Sequence, residues 1–255
     1  MGPWAAIGFV AFLVSSLVIG IRLLVLWSRS RRLPELLIAC GILGIGPVGF
    51  AFTLVATSAG EVLPRLASVS LAAALLSTSA GAFAAAIFNW RVFRPDSSGL
   101  RLVVGAVAVL FVGAFVREAF ASGFADVDAA TSGFRLYAVL STAILLWGAA
   151  ESLRYFAMMR RRAKLGLADP LVTNRFLLWG LGIGAAGLGS AISITACAIT
   201  GQHMLAIPWV TISNSLHGFT AATLMWVAFI PPGFYRRFVE SRSQQLPVDG
   251  SVQPL

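Results

Sequence analysis

The chain has 255 residues, 58% of them hydrophobic and 11% charged, with mean hydropathy +0.86 and a formal net charge of +9. A water-soluble domain carries about 25% charged residues, so this composition excludes a soluble globular protein and makes lipid the natural solvent.

Seven apolar runs follow one another, each long enough to cross a ~30 Å hydrocarbon core as a helix of about 20 residues. They fall at about 4–27, 34–57, 63–89, 102–123, 135–159, 172–200 and 207–230. The first opens on MGPWAAIGFV, which has no positive n-region and so does not read as a cleaved signal peptide. The second starts at Pro34 and holds Pro47, which is expected to kink it. The third carries Ser77 and Thr78 and closes at Asn89, and the fourth ends in Arg117 and Glu118, read as interfacial anchors. The fifth holds Glu151 and Arg154 before its basic end, and the sixth opens with Pro170, Asn174 and Arg175. The seventh carries Ser213, Asn214, Ser215 and His217. The expected layout is one transmembrane domain over residues 1–242 and a disordered, polar cytoplasmic tail over 243–255. No run alternates in polarity along its length, as a barrel strand would.

Arginine placement sets the expected orientation. The loops after the first, third, fifth and seventh runs hold thirteen positive residues, while the opposite loops hold Arg65 and Arg135. The positive-inside rule then puts the N-terminus outside and the C-terminus in the cytoplasm of a plasma (inner) membrane. The charge is thereby a matter of topology and anionic lipid, not of nucleic acid. Cys40 and Cys197 fall at different depths, which argues against a disulfide.

An internal repeat is also legible. Pro34, Gly44 and Gly46 have the same spacing, P-x9-G-x-G, as Pro170, Gly180 and Gly182. The helix before each carries an arginine, Arg22 or Arg154, and the helix after each carries a polar cluster ending in glycine. The expectation is an all-α bundle of seven helices with a parallel 3+1+3 repeat, the fourth helix acting as linker. This plan resembles the broad transporter–opsin–receptor group, which includes SWEET-type sugar transporters and microbial rhodopsins. Microbial rhodopsins hold retinal on a lysine of the seventh helix. The sole lysine here is Lys164, in a loop, so no retinal and no other cofactor is expected.

Two sets of residues are candidates for chemistry. Glu151 stands nine residues, about 13 Å of helix, before Arg160. A carboxylate at that depth has to be paired or protonated. Arg154 is one turn away on the same helix, and Arg22 stands at similar depth in the first helix. With Asn89, Asn174 and Arg175 they are expected to form a polar network under the cytoplasmic mouth, either a clamp that ties the helices together or a gate. In the outer half, His217, Asn214 and Ser213 are expected to line a ligand site with Ser77 and Thr78, or else to hydrogen-bond between helices.

Other motifs fail on context. Gly182, Gly184 and Gly187 match GxGxxG but lie inside an apolar helix without a preceding strand, so a dinucleotide site is excluded. His203 and His217 are too few for a three-histidine zinc centre. Serine–histidine hydrolysis by Ser213 or Ser215 with His217 lacks a nucleophile motif, so no enzyme is expected. Movement of a small solute through the bundle is the leading reading. A sensor that signals to a cytoplasmic partner and a structural subunit are the alternatives.

Overall fold

Helix starts are marked by the sequence at almost every element of the computed structural model, which describes residues 3–60, 62–125, 132–202 and 206–244. Among these residues every element is helical. The α-helices are α1 (Pro3–Ser30), α2 (Leu33–Leu43), α3 (Gly49–Ala59), α4 (Pro64–Phe88), α5 (Ser98–Ala121), α6 (Ser132–Lys164), α7 (Pro170–Thr200), α8 (Pro208–Phe229) and α9 (Gly233–Gln244). Proline occupies the first turn of α2, α4, α7 and α8, where its missing N–H costs nothing. Ser97 caps α5 by accepting from the Leu100 amide at 3.3 Å, and Asp169 caps α7 by accepting from Leu171 at 2.7 Å. Gly201, at φ +67°, ends α7 in the left-handed conformation.

The second apolar run is two helices. Between α2 and α3 the chain makes a π turn, Gly44–Val48, in which Gly46 leaves helical geometry at ψ −107°. Pro47 is the cause: its ring disfavours the helical conformation in the residue before it and removes one backbone donor. The Gly44 carbonyl instead accepts from the Gly49 amide and from Ser77 Oγ, at 3.1 Å.

Six segments are long and apolar enough to cross a bilayer: Ile7–Ser30, Leu33–Ala59, Pro64–Phe93, Ser98–Ala121, Arg135–Lys164 and Pro170–Thr200. That is the make-up of a multi-pass membrane protein. The seventh expected crossing is present as α8 but is not among those six. Its run from Ser213 to His217 interrupts the apolar stretch, and α7 and α1 pack against it on two sides. A further difference is α9, a helix where the sequence reading has none. The proposed tail keeps only residues 243–244 inside α9; residues 245–255, like His203, lie outside the described residues.

Packing runs in a circuit. α1 lies against α2 and α8, α8 against α7, α7 against α6, α6 against α4, and α4 against α2 and α3. α5 packs on α4 and α6 from outside this ring and turns Leu102, Val109, Val112 and Phe120 outward. Such a surface suits lipid. Inside, contacts are made by small residues such as Ala82, Ala86, Ala221 and Ala222. Gly44 and Gly81 let α4 touch the π turn: a Cβ on Gly81 would lie 2.9 Å from the Ile45 amide nitrogen.

Candidate functional site

α7 and α8 meet where the sequence reading places the outer ligand site. Asn214 and His217 stand one turn apart on α8 and so share a face. Asn214 Nδ2 donates to Ser193 Oγ at 2.7 Å, and Ser193 Oγ donates to the Gly189 carbonyl at 2.9 Å. His217 Nδ1 donates to the Ser213 carbonyl at 2.7 Å, with Ser213 Oγ at 3.4 Å. A Cβ on Gly189 would approach His217 Cβ to 2.9 Å, so the two helices are closed on each other at this level. Ser77 and Thr78 do not join them. Ser77 holds the π turn, and Thr78 Oγ1 donates to Ala74 of its own helix at 2.6 Å. The residues expected in one ligand site therefore stand in two places: Asn214 and His217 at the α7–α8 contact with Ser213 beside them, and Ser77 and Thr78 on α4 at the α2–α3 bend.

The expected gate network also divides. Glu151 is 9% exposed and is paired, as its depth demands, but its close partner is Arg94. Arg94 Nε lies 2.7 Å from Glu151 Oε1, and Arg154 Nη1 lies 3.7 Å from Oε2. The third run extends past its expected end at residue 89 through a second π turn, Asn89–Phe93, and Arg94, the first residue beyond it, reaches the flank of α6. Asn89, 3% exposed, belongs to the same junction: its Nδ2 donates to the Ile144 carbonyl of α6 at 3.2 Å. Arg22 is not with Glu151, because the circuit of contacts sets α1 and α6 on opposite sides of the ring. Depth along a helix specifies height in the bundle, not the neighbour. Asn174 is half-buried on α7.

Arg22 and Arg175 meet elsewhere. Together with Arg236 and Tyr235 of α9 they line a cavity of about 280 Å³ between α1, α7, α8 and α9. Leu178, Val227 and Phe229 form its apolar wall. No carboxylate lines it, and none of the three arginines has an ion pair among the described residues. All three are exposed to solvent. Partial burial pushes the Tyr235 phenol above its ordinary value of 10.0. A cleft lined by charge of one sign concentrates ions of the other.

Sequence reasoning missed several polar residues. Glu118, read as an interfacial anchor, is 2% exposed and faces the bundle, while Arg117 faces outward. Ser122 Oγ donates to Glu118 Oε1 at 2.6 Å, and Ser79 and Tyr137 stand beside it around a void of about 10 Å³. The signal was the spacing Phe111, Ala114, Glu118, which places the acid on the buried stripe of α5. Ser152, fully buried, donates to the Phe176 carbonyl at 3.0 Å, and Thr142 and Ser190 share a hydrogen bond of 2.6 Å. Both tie α6 to α7.

No protein-family model, curated protein or solved structure matches the chain. Function is therefore read from the cavity and the helix contacts.

Proposed function

We propose that the protein binds a small solute within its helix bundle and moves it across a plasma (inner) membrane. The observation that carries this reading is the cavity of about 280 Å³ at the arginine-rich end, bounded by α1 on one side and α7 and α8 on the other. With the N-terminus outside, as arginine placement implies, the cavity opens toward the cytoplasm. The α7–α8 contact around Gly189 and His217 then closes the outer path. A parallel 3+1+3 repeat is supported by the circuit of contacts: α1, α2–α3 and α4 are consecutive neighbours, as are α6, α7 and α8, with α5 outside the ring. In this reading α8 is the seventh crossing, tolerated in lipid because Asn214 and His217 face α7 and the exposed Thr220 and Thr223 bond their own helix backbone.

One observation favours sensing as a second reading. α9 is a short basic helix that packs on α7 and contributes Tyr235 and Arg236 to the cavity wall, so an occupant there contacts an element able to meet a cytoplasmic partner. Reconstituted proteoliposomes separate the two. Osmotic swelling is followed with sodium phosphate, sodium acetate and sucrose as probes. Transport predicts swelling with at least one of them above protein-free vesicles. Swelling equal to protein-free vesicles for all three sinks the transport reading.

A further inference from the structure

We infer that the arginine-lined cavity is a site for a phosphate-bearing anion, whose apolar remainder lies against Leu178, Val227 and Phe229. The inference rests on the reading of this cavity as the solute-binding site and names the chemical class it takes. Three features of the lining point to it. First, its charge is of one sign: Arg22, Arg175 and Arg236 converge from α1, α7 and α9, and no carboxylate opposes them. A cationic ligand has no counter-charge there, and a neutral one leaves three guanidiniums repelling each other.

Second, all three cations are arginine. A guanidinium presents paired N–H groups that match two oxygens of one phosphate, which a lysine ammonium does not. Tyr235, also in the lining, carries a hydroxyl that can add a neutral donor. The N-terminus of α7 does not compete, because Asp169 already accepts from the Leu171 and Val172 amides. Arg175, one turn further on, is left facing the cavity.

Third, the lining is mixed: Arg22, Arg175, Arg236 and Tyr235 supply polar groups, and Leu178, Val227 and Phe229 supply apolar ones. The volume of about 280 Å³ is close to the ~300 Å³ at which small-molecule pockets begin. Basic pockets between transmembrane helices on the cytoplasmic side hold lipid phosphate headgroups for this reason. A soluble organic phosphate offers the same chemistry. Because Arg236 sits on α9, an anion held by all three guanidiniums also docks α9 against α1 and α7.

The test is titration of the purified full-length chain, in zwitterionic detergent, with dioctanoyl phosphatidic acid, inorganic phosphate and dioctanoyl phosphatidylcholine. Phosphatidic acid is expected to bind, and phosphatidylcholine is expected to bind at least tenfold more weakly. Arg22→Gln, Arg175→Gln and Arg236→Gln should each weaken phosphatidic acid by about tenfold, the loss of one charge-assisted contact. Arg175→Lys should recover part of that loss, and Arg65→Gln, far from the cavity at the opposite end of the bundle, should change nothing. Unfolding midpoints of the variants without ligand show that the fold survives. Tight phosphatidic acid with no response to inorganic phosphate assigns a lipid headgroup, and binding of both assigns a soluble phosphate. Equal binding of phosphatidylcholine, or undiminished binding in all three glutamine variants, overturns the site. Phosphate binding without swelling in the proteoliposomes keeps the site and removes transport. Sucrose swelling without phosphate binding does the reverse.

Discussion

The segment from Pro34 and the segment from Pro170 share the spacing of one proline and two glycines, yet the first bends and the second runs straight. Gly44 and Gly46 lie in a π turn, whereas Gly180 and Gly182 lie inside the unbroken α7. The difference is Pro47, which has no counterpart after Gly182. Glycine permits a bend, but here proline imposes it. The consequences reach the neighbours. At the bend, backbone meets backbone: a Cβ on Gly44 would lie 2.8 Å from the Ser77 carbonyl oxygen and 3.0 Å from Gly81 Cα. On α7, the same glycines face side chains, with Leu153 Cγ 2.9 Å from a Cβ on Gly180 and Met225 Cγ 3.1 Å from one on Gly182. At the bend the nearest neighbours are backbone atoms, whereas on α7 they are side chains, with the Ala149 and Ala221 carbonyls further off at 3.3 and 3.5 Å.

Substitution sharpens that contrast. Gly44→Leu should be the most damaging change, since the α4 backbone cannot yield. A loss of about 3 kcal/mol or more is expected in detergent unfolding. Gly44→Leu with an unchanged midpoint would show the bend to be loose.

The helices that precede the two segments differ as well: Arg22 of α1 faces the cavity, and Arg154 of α6 faces Glu151. Arg94→Ala leaves Glu151 with only the distant, 68% exposed Arg154 side chain. A destabilisation of about 2 kcal/mol is expected, less than for a fully buried pair because the Arg94 side chain is 44% exposed. Arg154→Ala should cost at most about 0.5 kcal/mol. If the two variants unfold alike, the pairing seen for Arg94 carries no special weight.

Ser77→Ala removes one of the two hydrogen bonds to the Gly44 carbonyl and should cost about 1 kcal/mol. The smallest effect is expected for Gly182→Ala, because Met225 is flexible and alanine favours helix over glycine. A change below about 1 kcal/mol in either direction fits, and a loss as large as that of Gly44→Leu would erase the distinction between the two segments.

Much of the architecture is written locally. Apolar runs, first-turn prolines and Pro47 each act within a few residues, so helix positions and the bend were legible. The need of Glu151 for a cation was legible too, because the penalty for a bare carboxylate depends on depth alone. Its partner was not. Arg94 reaches Glu151 through a π turn that no composition rule marks, and Arg22 stands across the ring. The serines, His217 and Asn214 had the polarity of a ligand site, but polar groups within lipid satisfy neighbouring helices equally well. Glu118 was on a readable stripe, hidden by its place at a helix end beside Arg117.

The amino-acid order by itself determined that this chain lives in lipid, where its helices begin and where one of them breaks, since hydration, capping and ring sterics are properties of short stretches. Which helix faces which, and hence the Arg94–Glu151 pair, the closed α7–α8 contact and the convergence of Arg22, Arg175 and Arg236 on one cavity, was decided only when the ring closed. Those outcomes depend on how small residues let particular helices approach, a property of pairs of surfaces that neither sequence segment holds alone.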